Sequence, residues 1–402
     1  MKRRVSFGAL SITQTSRDLI AEALDQGRLS SGVLVRRLEE RFAALTGTSE
    51  AVAVSSGTDA DALALAVLYD FGARRGDEVI VPALSFVATG NAVLQAGFTP
   101  RFVDIRRETL NIDADKIVAA ITPRTVAIMP VHLMGKPADM DAINAIARSR
   151  KLAVVEDAAE AHGATYKGRN VGTLGDMAAY SLYVAHIVTS IEGGIVTTNR
   201  ADYAEVLRSL RSHGRACKCK QCVINTSDDG CRKRFQYGSD VRFVFERIGF
   251  SCKMNELEAA VGLGNLELYD EILARRRANL LVMMDAMRRF EGVLNTFCQE
   301  PHEQIGPHAL PIVVAPGAPF TRDQLVAHLE EAQIDTRNLF ASMPTQCAGF
   351  AFLGSKLGEF PEAEYVGDCG LHIGVHQELT PEHIDYVMDT LEAFVRKHGG
   401  RT

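Results

Sequence analysis

Apolar and polar positions alternate in two rhythms along most of this chain. Over residues 15–46, Leu19, Ile20, Leu24, Leu34, Leu38, Phe42 and Leu45 recur at helical spacing, with an interruption at Gly32. Short continuous apolar runs follow at 51–54, 78–81, 102–104, 126–129 and 152–155. Runs of that length, bounded by polar and turn-forming residues, predict buried strands. Between them the spacing predicts helices over 59–71, 89–96, 113–121 and 138–149. Strands alternating with short helices predict an α/β fold with a mostly parallel central sheet, helices on both faces and right-handed crossovers. Ligands of such sheets sit at the carboxyl ends of the strands.

After a helix expected over 201–210 the rhythm is lost. Residues 213–250 are rich in Cys, Lys, Arg, Asp and Gly, which marks an inserted loop rather than core. A long helix is expected over 256–290. Beyond it, 311–314, 325–333, 372–375 and 381–397 read as a smaller C-terminal α+β domain. The expected division is therefore a large domain with an N-terminal arm (1–255), then the long helix and small domain (256–402). No internal repeat is found.

Composition changes this picture little. The 402 residues are 47% hydrophobic and 23% charged, with formal net charge −6, enough for a large core and without a basic excess for nucleic acid. The basic start is not followed by the apolar run of a signal peptide, and no uninterrupted run of about 18 apolar residues offers a membrane span. A cytoplasmic location is the default expectation. Eight cysteines in a chain of this length do not form a secreted disulfide scaffold.

Several segments carry candidate chemistry. Ser56-Gly57-Thr58 follows a strand and opens a helix, where N–H groups and hydroxyls suit a phosphate; the same residues also serve as an ordinary helix cap. Asp157 and Glu160 come just after a buried apolar strand, where an acid either serves a ligand or begins a helix. Phe86 follows another strand and either stacks on a ring or packs in the core. His186 lies between apolar residues, with Ser181 five residues before it and Glu192-Gly193-Gly194 after it. An imidazole there is a proton carrier or a structural residue; the glycines fit a tight turn or a close backbone approach. Cys217, Cys219, Cys222 and Cys231 fall within fifteen residues, a metal signal for zinc or an iron–sulfur cluster, or else a set of free thiols.

Taken in order, Ser56-Gly57-Thr58, residues 77–86, 130–135, Glu156-Asp157-Ala-Ala-Glu160, the His186 segment and residues 249–254 resemble the DegT/DnrJ/EryC1/StrS family of nucleotide-sugar aminotransferases and dehydrases. The resemblance runs from about Gly32 to the C-terminal helix. It implies the aspartate-aminotransferase (type I) fold, and pyridoxal 5′-phosphate (PLP) or its amine form PMP as cofactor. By resemblance, Gly57, Thr58 and Ser181 bind the phosphate, Phe86 stacks on the ring, Asp157 pairs with the pyridine nitrogen, and Glu160 lies near the ring's 3-hydroxyl. A homodimer is implied in the same way.

His186 stands where the family's aminotransferases carry the lysine that anchors PLP. Histidine there resembles the 3-dehydrases acting on nucleotide-linked 4-keto-6-deoxyhexoses, which work with PMP and use the histidine as base. Arg337-Asn-Leu-Phe340 and His372–His376 look more like that branch. One dehydrase subtype regenerates PMP from glutamate. The other carries a 2Fe-2S cluster and takes electrons from a reductase or ferredoxin, and the segment from Cys217 to Cys231 resembles it. Three positions depart from the pattern. Ala159 replaces a cluster cysteine, eleven residues rather than seven separate Cys219 from Cys231, and Ser251 stands where aminotransferases often carry Asn. A nucleotide-sugar aminotransferase using another lysine, Lys167 being nearest, and a catalytically inactive homologue are the alternatives.

Overall fold

The computed structural model describes residues 5–223 and 230–399. Its main sheet has seven strands: β1 (Glu50–Val54), β2 (Glu78–Pro82), β3 (Thr99–Val103), β4 (Thr125–Ile128), β5 (Ala153–Asp157), β6 (Met177–Ser181) and β7 (Gly194–Thr198), in the order β1-β7-β6-β5-β4-β2-β3. Only β7 runs antiparallel to its neighbours β1 and β6. β2, β6 and β7 are buried at every residue, the signature of strands covered on both faces. Side-chain alternation shows how. Ala51 and Ala53 of β1 face the core under helices Gln14–Gln26 and Val33–Thr46, whereas Val52 and Val54 face the core under helix Gly57–Ala66.

The C-terminal part has a four-stranded antiparallel sheet, β8 (Leu294–Asn295), β9 (Ala309–Val314), β10 (Thr336–Asn338) and β11 (Gly370–Gly374), in the order β8-β9-β11-β10. The helix Pro381–Lys397 lays Ile384, Val387, Leu391, Phe394 and Val395 into its core.

Two expectations need correction. The helix expected over 256–290 breaks at Leu268 (φ −96°, ψ 3°), giving Glu256–Glu267 and Tyr269–Met287. The division at 255/256 also cuts through a core. Ala259, Ala260 and Leu263 pack beneath the N-terminal helices and main sheet, while Val5 and Phe7 belong to the C-terminal core. The break lets one half of the helical segment serve each core. Gly32 marks a real interruption: the Glu256 carboxylate accepts N–H groups from Gly32 (2.8 Å), Leu34 (2.9 Å) and Val35 (3.0 Å), capping helix Val33–Thr46 from a distant part of the chain. The described parts of 213–250 contain no strand longer than an isolated bridge, and a short turn of helix forms at Val241–Phe243. Among the described residues no helix is long and apolar enough to cross a membrane.

Candidate active site

β1 ends at Val54, and the chain turns through Ser55 and Ser56 into helix Gly57–Ala66. The Ser56 hydroxyl accepts the Asp59 N–H at 3.0 Å, and the Ser55 and Ser56 hydroxyls donate to the Asp59 carboxylate at 2.6 and 2.8 Å. The cap therefore engages N3 and leaves the N–H groups of Gly57 and Thr58 for an anion, favoured by the helix dipole. Gly57 lies directly against Ser181 at the end of β6: a Cβ on Gly57 would sit 2.8 Å from the Ser181 Cβ. Gly194 opens β7 with the same economy, since a Cβ there would fall 2.1 Å from the Ser56 carbonyl oxygen. The structure thus brings Gly57 and Ser181 together, with Thr58 beside Gly57 at the helix start, and Gly194 is the residue whose backbone closes on the turn at Ser56.

Asp157 ends β5 and is 4% exposed. Its Oδ2 accepts the Thr89 hydroxyl at 2.7 Å and its Oδ1 accepts the Ala159 N–H at 3.2 Å. Burial pushes its pKa up, offset in part by those two bonds. Among the described residues it has no ion-pair partner. A buried carboxylate at a strand's carboxyl end fits a cationic ring nitrogen, which would supply the missing charge. Thr89 stands one turn into helix Val87–Gln95, whose N-cap is Phe86. The Phe86 ring is 56% exposed, so it is not the core residue of the plainer reading. Asp61, buried near Asp157, has an oxygen without a partner, and its pKa is held well up by burial and then by Asp157. Glu160 accepts the Met134 N–H at 2.7 Å; burial raises its pKa to about 8.

His186 follows β6 by five residues. Its ring is half-buried, and Nδ1 is sequestered from solvent with no hydrogen-bond partner. Its ring centroid is 5.0 Å from that of His308 and 6.3 Å from those of His162 and Tyr183. His308 Nε2 lies 3.4 Å from the Glu160 carboxylate, and His162 Nε2 bonds the Ser181 carbonyl at 2.9 Å. A continuous set of contacts therefore joins Ser181, His162, His186, His308 and Glu160. Burial holds the His186 pKa well below its ordinary value, and His162, Arg276 and Arg337 add to the effect. Sequence reasoning missed Thr89, His162, Arg276 and His308. Nothing local marks them, because each acquires its role from a distant segment.

The cysteines require a correction. Cys217 and Cys219 place their sulfurs 3.4 Å apart, and Cys222 and Cys231 line the same cavity of about 360 Å³. Among the described residues, no three His, Cys, Asp or Glu side chains converge on a point that could hold a metal. Burial, followed by Cys217, pushes the Cys219 thiol up to about 11. The four-cysteine set for a 2Fe-2S cluster or zinc is therefore not supported. Residues 224–229 of this loop lie outside the described residues.

The sequence profile of the DegT/DnrJ/EryC1/StrS aminotransferase family matches residues 11–392. The chain belongs to this family. DegT/DnrJ/EryC1/StrS proteins are PLP-dependent enzymes of sugar modification, which makes PLP or PMP the cofactor the cradle fits. The chain is 36% identical over 399 residues to dTDP-4-dehydro-2,6-dideoxy-D-glucose 3-dehydratase of Saccharopolyspora spinosa, covering 96% of this chain and 85% of that protein. It is also 36% identical over 394 residues to GDP-perosamine synthase of Caulobacter vibrioides, covering 97% and 98%. Among solved structures, E. coli GDP-4-keto-6-deoxy-D-mannose-3-dehydratase with bound hydrated PLP superposes with a TM-score of 0.84 at 28% identity, covering 97% of this chain and all of that one.

Proposed function

We propose that this family member is a PMP-dependent 3-dehydrase of a nucleotide-linked 4-keto-6-deoxyhexose, with His186 as its base. The observation that carries the reading is His186 itself: an imidazole kept neutral, one nitrogen buried, in a turn joined to the phosphate cradle through Ser181 and His162. The two 3-dehydratases among the relatives and structures above support the same chemistry.

When bound, the cofactor supplies an amine and a ring that takes up electrons. The chain's residues do the rest. Gly57, Thr58 and Ser181 bind the phosphate. Phe86 covers one face of the ring. Asp157, freed of other charged partners, holds the proton on the ring nitrogen. Glu160 orients the ring's 3-hydroxyl. His186 keeps Nδ1 inward and moves a proton at Nε2, accepting it as base and returning it as acid when the C3 hydroxyl leaves. A homodimer belongs to this reading; exposed Phe243, Phe245 and Ile248, close to Ser251 in the chain, are apolar surface that a second copy would cover. Loss of the C3 oxygen is a two-electron reduction, so the reading needs an amino donor such as glutamate to restore PMP; with that donor it requires neither the cysteine loop nor an electron-transfer partner.

The similarity to GDP-perosamine synthase favours a second reading, a nucleotide-sugar aminotransferase. That chemistry needs a lysine at the cofactor. Lys167 sits instead in an exposed turn, ion-paired with Asp141. The two readings separate by product analysis with PMP and a panel of 4-keto-6-deoxy sugar nucleotides. Loss of the C3 oxygen supports the dehydrase. Transfer of the amino group to the sugar overturns it in favour of the aminotransferase. Binding of PMP without turnover of any sugar identifies an inactive homologue.

A further inference from the structure

Arg276 lies mid-way along helix Tyr269–Met287 and is 2% exposed. Its guanidinium donates to three main-chain carbonyls: Nε to Pro307 at 3.1 Å, Nη2 to His308 at 3.0 Å and Nη1 to His186 at 3.5 Å. No carboxylate pairs with it among the described residues. A buried guanidinium usually has such a partner, because desolvating a lone charge is costly. Here burial alone acts on its pKa, pushing it down to about 10. The uncompensated charge faces a cluster of imidazoles: His162, His186, His308 and His376 are each held low by burial first, with Arg276 among the further causes.

Other elements around His186 add little that would draw a proton to it. His162 comes from the β5–β6 connection, His308 from the approach to β9, Arg337 from β10, and Tyr183 from the same turn as His186. His372 of β11 stands behind His308. The one acid in this set is Glu160, beyond His308, and burial keeps its own proton on near neutral pH.

We propose that Arg276 is a positioning residue for His186, fixing the imidazole through the carbonyls of His186, Pro307 and His308 and holding the ring as a neutral base. A proton on His186 would set a second positive charge beside the guanidinium in a medium that screens poorly. An arginine suits the task because its planar fork reaches three carbonyls at once, which a lysine ammonium does not do. The same fork places His308 against His186. What the neutral base is used for rests on the dehydrase reading; the protonation state of the ring is a property of the protein alone.

The test is an NMR titration of the His186 ring nitrogens in the cofactor-free protein labelled with ¹⁵N-histidine, the signal being assigned with H186Q. In the wild type the ring should titrate well below the ordinary imidazole value. In R276M the midpoint should rise by about one pH unit or more, and the acid limb of the kcat/KM profile should move with it. R276K keeps the charge but loses the fork, so the midpoint should stay low while kcat falls about tenfold. A wild-type His186 that titrates near the ordinary imidazole value of about 6.5 overturns the proposal, and needs no variant to fold. So does a folded R276M with an unmoved midpoint, or a folded R276K with unchanged kcat. A low-titrating His186 in a protein that dehydrates no sugar would sink the dehydrase reading and leave this one standing.

Discussion

At Gly57 a methyl group has nowhere to go: it would meet the Ser181 Cβ at 2.8 Å and, behind the Oγ at 3.1 Å, the Ser181 Cα at 3.2 Å; the last of these is backbone. Neither Cβ nor Cα moves with χ1, so a rotamer change does not relieve the clash. Gly57→Ala should therefore push the cradle apart and weaken PMP binding about tenfold, corresponding to about 1.4 kcal/mol, as read by equilibrium dialysis. Unchanged affinity would mean that the phosphate does not sit between Gly57 and Ser181. His186→Lys makes the complementary change. It should create an adduct with PLP that borohydride reduces and mass spectrometry locates at residue 186. Its absence would show that this side chain does not reach the cofactor. Single residues were legible in the sequence where chemistry follows from local order: a Ser-Gly-Thr turn after a strand, an acid after a strand, a histidine before Glu-Gly-Gly. Thr89, His308 and Arg276 were not, since Thr89 meets Asp157 and His308 meets His186 only after the sheet forms and Arg276 reaches over from a later helix.

At the level of elements, apolar runs located β1 to β5 within a few residues, most directly for β2, which is buried at every residue, and least directly for β3, an edge strand with Arg101 exposed. The break at Leu268 was invisible, since the apolar residues on both sides keep helical spacing while serving different cores. The cysteine loop shows the limit of spacing arguments. Four thiols close in sequence suggested a metal, yet among the described residues no three metal-ligating side chains converge on one point. The Glu256 cap is the joint most exposed to a single change. Glu256→Ala leaves three N–H groups at the start of helix Val33–Thr46 without their acceptor, two of the donated bonds being buried. It should cost about 2–3 kcal/mol in urea unfolding. A loss below about 0.5 kcal/mol, the range of an ordinary surface change, would show that solvent replaces the cap.

For the whole molecule, the buried imidazoles set the response to acid. His162 is lowered to about 4 and His372 to about 3, each chiefly by burial. Groups depressed in the folded state contribute stability above the unfolded value of about 6.5 and lose it as pH falls towards the folded value. His162 alone should withdraw about 3 kcal/mol between about pH 6.5 and 4. Glu160, raised to about 8, acts in the opposite sense: its contribution is complete below the unfolded value of about 4.5 and is lost as pH rises through 8. Cofactor-free protein should therefore be most stable near pH 6.5, losing stability steeply on the acid side and more gently on the alkaline side. In Glu160→Gln the alkaline decline should flatten while the acid decline persists. Midpoints of urea unfolding across this pH range check both limbs; equal slopes in the two proteins above pH 6.5 would contradict the assignment to Glu160.

The central claim is that His186 moves a proton for a sugar dehydration. Its most direct measurement is exchange of a C4′ hydrogen of PMP in deuterated water with a 4-keto-6-deoxy sugar nucleotide. The wild type should exchange one of the two C4′ hydrogens, and His186→Asn should slow exchange by about 10²–10⁴-fold while still binding PMP. Exchange that survives unchanged in His186→Asn, or an amino group found on the sugar with its C3 oxygen retained, would contradict the account.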